Sequence, residues 1–158
     1  TAKSTLVTVA AAQCGNLRLL QYLYEHGYAW DENTCAAAGK EGHLDCLQYA
    51  HENGCPWDVE VFKGAARNGH LNCMQYAYQQ GLEWHKDVCK EAARNGHIDC
   101  LQFAHENGCP WDSETTKCAA EEGHIDCLAY AHENGCLWST DVSHGCSKWT
   151  LELYAVRL

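Results

Sequence analysis

Apolar residues recur along the chain in short groups that follow the spacing of amphipathic helices. Within residues 58–84, an apolar stripe over residues 61–66 is followed by a second stripe over residues 71–80. Side chains separated by three or four positions share one face of a helix, so each stripe predicts one helix. Gly69 and Gly81 end the two helices, because glycine accepts the left-handed backbone common at helix C-termini. The segment is predicted to be a helix pair.

The helix pair repeats with a period of 27 residues. One tryptophan and two glycines per period keep this spacing over five copies. Such self-similarity is the signature of repeat proteins. The repeats are 4–30, 31–57, 58–84, 85–111 and 112–138, with a partial capping repeat at 139–158, all within one domain spanning 1–158.

The junction between repeats contains residues that favour the start of the next helix. Asp58 is a good N-cap for the first helix of its repeat. Trp57, directly before it, is placed to pack on the residue at the fourth helical position, Phe62, as a hydrophobic staple. The equivalent staple partners elsewhere are Cys35 and Cys89.

A single helix pair of this size cannot bury both of its apolar faces, so neighbouring repeats must stack. Paired alanines on the first helices allow a close approach of adjacent helices. The fold class predicted is therefore all-α, a helical-repeat solenoid. The alanine pairs are Ala11-Ala12, Ala65-Ala66, Ala92-Ala93 and Ala119-Ala120.

The segments AARNGHLNCMQYAYQQG and AARNGHIDCLQFAHENG resemble the AAxxGHLEIVxxLLxxGA core of ankyrin repeats. The period is six residues shorter than the common 33, the opening TPLH is absent, and CPWD stands where a β-hairpin finger would be. The sequence is thus similar to short, Trp-containing ankyrin-type repeats of protists, algae and giant viruses. The resemblance implies ankyrin-like helix pairs without long fingers, used for protein–protein recognition on exposed helix faces.

Composition narrows the function classes. The 158 residues carry a formal net charge of −10, which disfavours nucleic acid as a partner. No run of about 18 apolar residues occurs, so no membrane span is predicted. The N-terminal residues do not form a signal peptide. The first residue is Thr rather than Met, which predicts a piece of a longer protein.

Twelve cysteines and a recurring HxxC spacing raise the possibility of metal chemistry. His43 and Cys46 share a helix face, but a structural zinc needs four ligands, and stacked helices lie about 9–10 Å apart. The structural interpretation is favoured: cysteine fills a small apolar position, and the histidine bonds nearby backbone at the turn. Asn16 replaces that histidine in the first repeat and suits a capping role. We predict no metal and no cofactor.

The cysteines are predicted to be reduced thiols. Cysteines at the same position of successive repeats are too far apart to bridge, whereas a bridge within one repeat, such as Cys35–Cys46, stays open. Reduced thiols indicate an intracellular protein, cytoplasmic or nuclear. Cys14 and Cys146 are the candidates for an exposed, reactive thiol.

Two further residue columns have structural interpretations. His51, His105 and His132 lie late in the second helices, where a cation suits the negative helix end. The tryptophan column is assigned to the core and the staple, with a ligand-binding cage as the alternative.

Basic residues are sorted onto the first helices, and acidic residues onto the second. A basic residue stabilises the negative C-terminal end of a helix, which explains Lys40, Arg67 and Arg94 but not the lysines in mid-helix. A groove for an acidic peptide or protein surface is the sharper hypothesis, with arginine contacting carboxylates. The candidate partner-binding residues are Lys40, Lys63, Arg67, Lys90, Arg94 and Lys117, and the acidic residues are Asp45, Glu52, Asp99, Glu106, Asp126 and Glu133.

The sequence therefore predicts a protein–protein interaction module with no enzymatic activity and no small-molecule substrate. A nucleophilic site needs one Cys/His pair that is activated differently from the others, whereas here four repeats carry the same pair. Two alternatives stay open: a structural subunit or spacer docked in a permanent complex, and a zinc-binding repeat protein.

Overall fold

The computed structural model describes residues 4–138 and residue 155. Residues 4–138 form ten α-helices and contain no β-strand, so the predicted all-α class is confirmed. The predicted capping repeat, 139–158, lies almost wholly outside the described residues. The helices are α1 Leu6–Gln13, α2 Leu17–Glu25, α3 Glu32–Glu41, α4 Leu44–Glu52, α5 Glu60–Asn68, α6 Leu71–Gln79, α7 Asp87–Arg94, α8 Ile98–Glu106, α9 Ser113–Glu121 and α10 Ile125–Glu133.

The chain divides into two compact units, Thr1–Glu83 and Trp84–Leu158, here called unit one and unit two. In unit one the first helices of the repeats pack side by side as α1, α3 and α5, and the second helices as α2, α4 and α6. In unit two α7 packs on α9, and α8 on α10. Each repeat also packs its own two helices together, so each unit is a two-layer helical stack.

Side-chain caps start three of the ten helices in residues 4–138. The predicted N-cap Asp58 is not one of them, because α5 begins after Val59 without a side-chain capping hydrogen bond. The Asp31 carboxylate accepts a hydrogen bond from the Asn33 backbone amide at 3.0 Å, and the Asp112 carboxylate accepts one from the Glu114 amide at 3.0 Å. Asn16 caps α2 in the same manner, accepting from Leu19. These bonds satisfy backbone donors that the first helical turn leaves unpaired.

The core of each unit lies between its two helix layers. One of the largest fully buried side chains comes from the second helix of every described repeat, and the paired alanines of the first helices are buried too. Small side chains let the first helices approach closely: a Cβ added to Gly64 would lie 2.9 Å from the Cβ of Lys40. The buried side chains of the second helices are Leu20, Leu47, Met74, Leu101 and Leu128.

The Gly-His turn joins one repeat to the next. Gly42 ends α3 in the left-handed conformation, with φ 77°, and a Cβ there would lie 2.5 Å from the Nδ1 atom of His70 in the following repeat. His70 makes no side-chain capping hydrogen bond, so the predicted bond of this histidine to nearby backbone is not formed as a helix cap. The turn therefore needs glycine for its backbone angle and because the next histidine ring occupies the space of a side chain.

The late histidines of the second helices stack on tryptophan. The His51 and Trp57 ring centroids are 3.7 Å apart, and Tyr76 of the next repeat meets Trp57 edge-on at 6.0 Å. His105 and Trp111 repeat the stack at 3.8 Å. Ring packing is thus a second role of these two histidines, which lie in the last turns of α4 and α8 as predicted. The staple between tryptophan and the fourth helical position stays a prediction.

Because His51 is part of this stack, we expect unit one to lose stability in acid. Burial lowers the pKa of His51 below its ordinary value of 6.5, so the unfolded chain takes up the proton more readily than the folded one. Stability is then highest above pH 6.5 and decreases as the pH falls through that value. Urea unfolding between pH 7.5 and 5.5 measures this slope.

His51→Tyr is the matched control for the pH slope. The first repeat carries Tyr24 at the equivalent position, where it stacks on Trp30 at 4.2 Å. The variant keeps a stacked ring but removes the titrating group, so its pH slope should be shallower than that of the wild type. Equal slopes would show that His51 does not contribute.

Candidate protein-binding surfaces

Unit one carries three of the predicted partner-binding residues on adjacent first helices. Lys40 lies at the end of α3, where its carbonyl accepts a hydrogen bond from the Asn68 side chain at 2.8 Å. Lys63 lies on α5 and pairs with Glu60 of the same helix at 3.1 Å. Arg67, one turn further along α5, is exposed. The unit thus presents basic groups on two neighbouring helices.

Unit two carries the other three. Lys90 on α7 pairs with Asp87 at 2.8 Å, and this hydrogen bond raises the pKa of Lys90. Arg94, at the end of α7, donates to the thiol of Cys118 on α9 at 3.2 Å. Lys117 on α9 pairs with Glu114 at 3.8 Å.

The ion pairs revise the sorting of charge by helix. Each mid-helix lysine has an acidic residue three positions earlier on its own helix, so the first helices carry both signs of charge. The second helices carry the predicted acidic residues, and all six are exposed. Ion pairs of this kind at the surface contribute at most about 1 kcal/mol, so a partner's carboxylate can replace the intrahelical acid at small cost.

The HxxC cysteines are buried and poorly ionised. Burial, with a smaller contribution from Asp45, raises the pKa of Cys46 to about 12, and burial raises that of Cys73 to about 11. Thiolates are the reactive and metal-binding form of cysteine, so these side chains act as small apolar groups at neutral pH. Within residues 4–138, no three His, Cys, Asp or Glu side chains are grouped so that they could hold a metal ion.

A second set of cysteines holds the linkers between repeats. The Cys55 thiol donates to the Asp31 carbonyl at 3.3 Å and is hydrogen-bonded with Cys35, whose pKa is raised by that bond and by burial. Both are free thiols, as is Cys46, so the bridge left open between Cys35 and Cys46 is not formed. Cys14, one of the two candidates for an exposed thiol, is exposed, whereas Cys146 lies outside the described residues.

Unit two also contains a groove that the sequence pattern did not predict. It has a volume of about 320 Å³ and lies between α8 and α10, lined by Ile98, Gln102, Asp126, Ala129, Tyr130 and Glu133. The available signal was a break in the repeat: Ala129 stands where the other four repeats carry glutamine.

The comparisons with known proteins concern the fold. No family model matches the sequence, and no curated protein matches it. Among solved structures, the ankyrin repeat domain of human ASB11 is similar, with a TM-score of 0.70 and 19% sequence identity over 82% of this chain and 69% of that chain. No helix among the described residues is long and apolar enough to cross a membrane. The chain therefore has the ankyrin-repeat fold, built here from 27-residue repeats with no β-hairpin in residues 4–138.

Proposed function

We propose that this chain is a non-enzymatic module that binds another protein through the exposed faces of its first helices. The observation that carries the proposal is the placement of basic side chains on neighbouring first helices within each unit. In unit one these are Lys40, Lys63 and Arg67, and in unit two Lys90, Arg94 and Lys117. The ankyrin-repeat fold typically serves as a protein-binding scaffold, which supports the same role.

The chemistry of these side chains favours an acidic partner. A guanidinium presents a planar set of donors that matches a carboxylate, and Arg67 and Arg94 are both exposed. Lys63 and Lys90 can exchange their intrahelical acids for carboxylates of the partner. The module would thus recognise an acidic peptide or an acidic protein surface. Buried, reduced thiols are compatible with an intracellular setting, cytoplasmic or nuclear.

Reversing four of these charges, with Lys63→Glu, Arg67→Glu, Lys90→Glu and Arg94→Glu in one variant, should abolish partner binding. Each substitution places a negative charge where the partner's carboxylate would bind. Partners captured from native cell extract by the wild type should be lost with the variant, and circular dichroism should show that the variant keeps its helices.

The matched control reverses charge on the other helix layer. Glu25→Lys and Glu52→Lys change two exposed positions on α2 and α4 of unit one, and they should leave capture intact. Retained affinity in a properly folded four-fold variant would refute the proposal.

A structural subunit docked in a permanent complex is the second candidate. One observation favours it: Leu6, Leu19 and Tyr22 of the first repeat are 76%, 42% and 55% exposed. Exposed apolar side chains on adjacent helices mark contact surfaces. A persistent complex of the purified chain in a size measurement would favour this candidate over the reversible module.

A further inference from the structure

The groove of unit two is lined in part by a residue that departs from the repeat pattern. Ala129 on α10 lines the groove, whereas the equivalent positions of the other repeats carry Gln21, Gln48, Gln75 and Gln102. Alanine lacks the side-chain atoms that glutamine carries beyond Cβ, so it occupies less of the space between α8 and α10 than a glutamine would. The fifth repeat thus departs from its own pattern at the place where a groove appears.

The lining of the groove combines an aromatic ring with two carboxylates. Tyr130 lies one helical turn after Asp126 and one before Glu133, so all three share a face of α10. Both carboxylate residues are exposed. Ile98 and the small Ala129 side chain add apolar surface. A ring next to anionic groups suits a planar cation with an aliphatic stem.

The ring at the centre of the groove is held in place. The Tyr130 hydroxyl hydrogen-bonds with His105 Nδ1 at 3.1 Å, and the ring meets Trp111 edge-on at 6.2 Å. Burial and then the charge of Glu106 raise the pKa of Tyr130, which places a further negative group nearby. A fixed ring costs little entropy on binding, which favours recognition of a side chain.

We propose that this groove binds an arginine side chain from a basic segment of a partner protein, with the guanidinium over Tyr130 and between Asp126 and Glu133. The inference rests on the proposed protein-binding role but uses the second-helix layer rather than the basic first-helix faces. The two surfaces would therefore recognise segments of opposite charge.

Unit one supplies an internal comparison for the same position. Its equivalent residues on α6 are Asn72, Gln75 and Gln79 in place of Asp126, Ala129 and Glu133. The carboxylates are replaced by neutral amides, and a longer side chain stands at the alanine position. Arginine binding is therefore expected in unit two and not at this place in unit one.

The test is an NMR titration of the whole chain with the peptide acetyl-Gly-Ser-Arg-Ser-Gly-amide. Saturable shifts are expected at Gln102, Ala129 and Tyr130. The same peptide with citrulline keeps the shape but loses the charge, and it should cause no saturable shift. Absence of saturation with the arginine peptide, or shifts elsewhere in the chain, would overturn the proposal.

Two variants drawn from the protein's own repeats make the test specific. Ala129→Gln fills the groove with the residue of the other repeats, and Asp126→Asn with Glu133→Gln installs the amides of the third repeat. Each should weaken arginine binding by at least about tenfold, which corresponds to about 1.4 kcal/mol. Both use residues that the fold already accepts at equivalent positions. Unchanged affinity in either variant would contradict the assignment.

A third variant separates this inference from the proposed function. Lys90→Glu with Arg94→Glu changes the first-helix layer of the same unit and should leave arginine binding unchanged. If this double variant loses partner capture but still binds the arginine peptide, the loss is due to the basic first-helix surface alone. Retained capture with loss of arginine binding in Ala129→Gln would show that the captured partner uses the first helices only and leaves the groove a separate site.

Discussion

Phe62→Ala is expected to lower the free energy of unfolding of unit one by about 3–5 kcal/mol. Phe62 is fully buried and is among the largest fully buried side chains of the described residues. It lies on α5, which packs between its own second helix, α6, and the first helix of the preceding repeat, α3. Removing the ring leaves a cavity that the two helix layers cannot close. Hydrogen exchange of the α5 and α6 amides measures the loss.

Two companion variants calibrate this result. Phe62→Cys installs the residue that neighbouring repeats carry at Cys35 and Cys89, and its loss should be smaller than that of alanine because the cavity is smaller. Gln79→Ala changes an exposed helical position and should stay within about 0.5 kcal/mol of the wild type. A loss below about 1 kcal/mol for Phe62→Ala would contradict a packed core at this position.

Gly42→Ala is expected to destabilise unit one by two separate effects. The left-handed conformation, φ 77°, costs a residue with a Cβ about 1–2 kcal/mol. The added Cβ would also lie 2.5 Å from the His70 ring, and overpacking of this kind costs about 1–3 kcal/mol. Urea unfolding of the variant should therefore show a loss of about 2–5 kcal/mol.

Gly54 is a control that separates the backbone strain from the steric overlap with the His70 ring. Gly54 has φ 85°, but a Cβ there would meet nothing within 4 Å, so Gly54→Ala should show the strain alone. His70→Asn, which copies Asn16 of the first repeat, should recover part of the Gly42→Ala loss in a double-mutant cycle. Equal losses at Gly42 and Gly54 would show that the histidine does not constrain the turn.

The repeating unit could be predicted from sequence because several repeated positions are each set by where a helix begins or ends. The 27-residue spacing, the aspartates that cap α3 and α9, and the glycines that follow the helices each mark a helix boundary. Alanine pairs likewise predicted close helix contacts, which burial of Ala65 and Ala66 confirms. Local rules suffice where a residue acts through its own backbone or its own helix face.

Contacts between repeats were less accessible from sequence. The histidine of the Gly-His turn lies against a glycine of the preceding repeat, 28 residues earlier in the case of His70 and Gly42, and local hydrogen-bonding rules do not point to that partner. His51 looked like a charge at a helix end, whereas its neighbour is the Trp57 ring. Both assignments depend on three-dimensional packing.

The candidate surfaces could be predicted from the sequence only in part. Sequence spacing placed Lys63, Lys90 and Lys117 on first-helix faces, but it overlooked the acidic residues three positions earlier that pair with them. The groove is lined by Ala129, which replaces the glutamine of the other repeats and carries no charged or reactive group. Deviations from a repeat are thus as informative as its constant positions.

Lysine footprinting of the complex with a captured partner tests the central claim most directly. Acylation by a small reagent, followed by mass spectrometry, compares each lysine with and without partner. We expect slower acylation of Lys40, Lys63, Lys90 and Lys117 in the complex, and an unchanged rate at Lys86, an exposed residue outside the helices. Unchanged rates at all four first-helix lysines under saturating partner would contradict binding through the first helices.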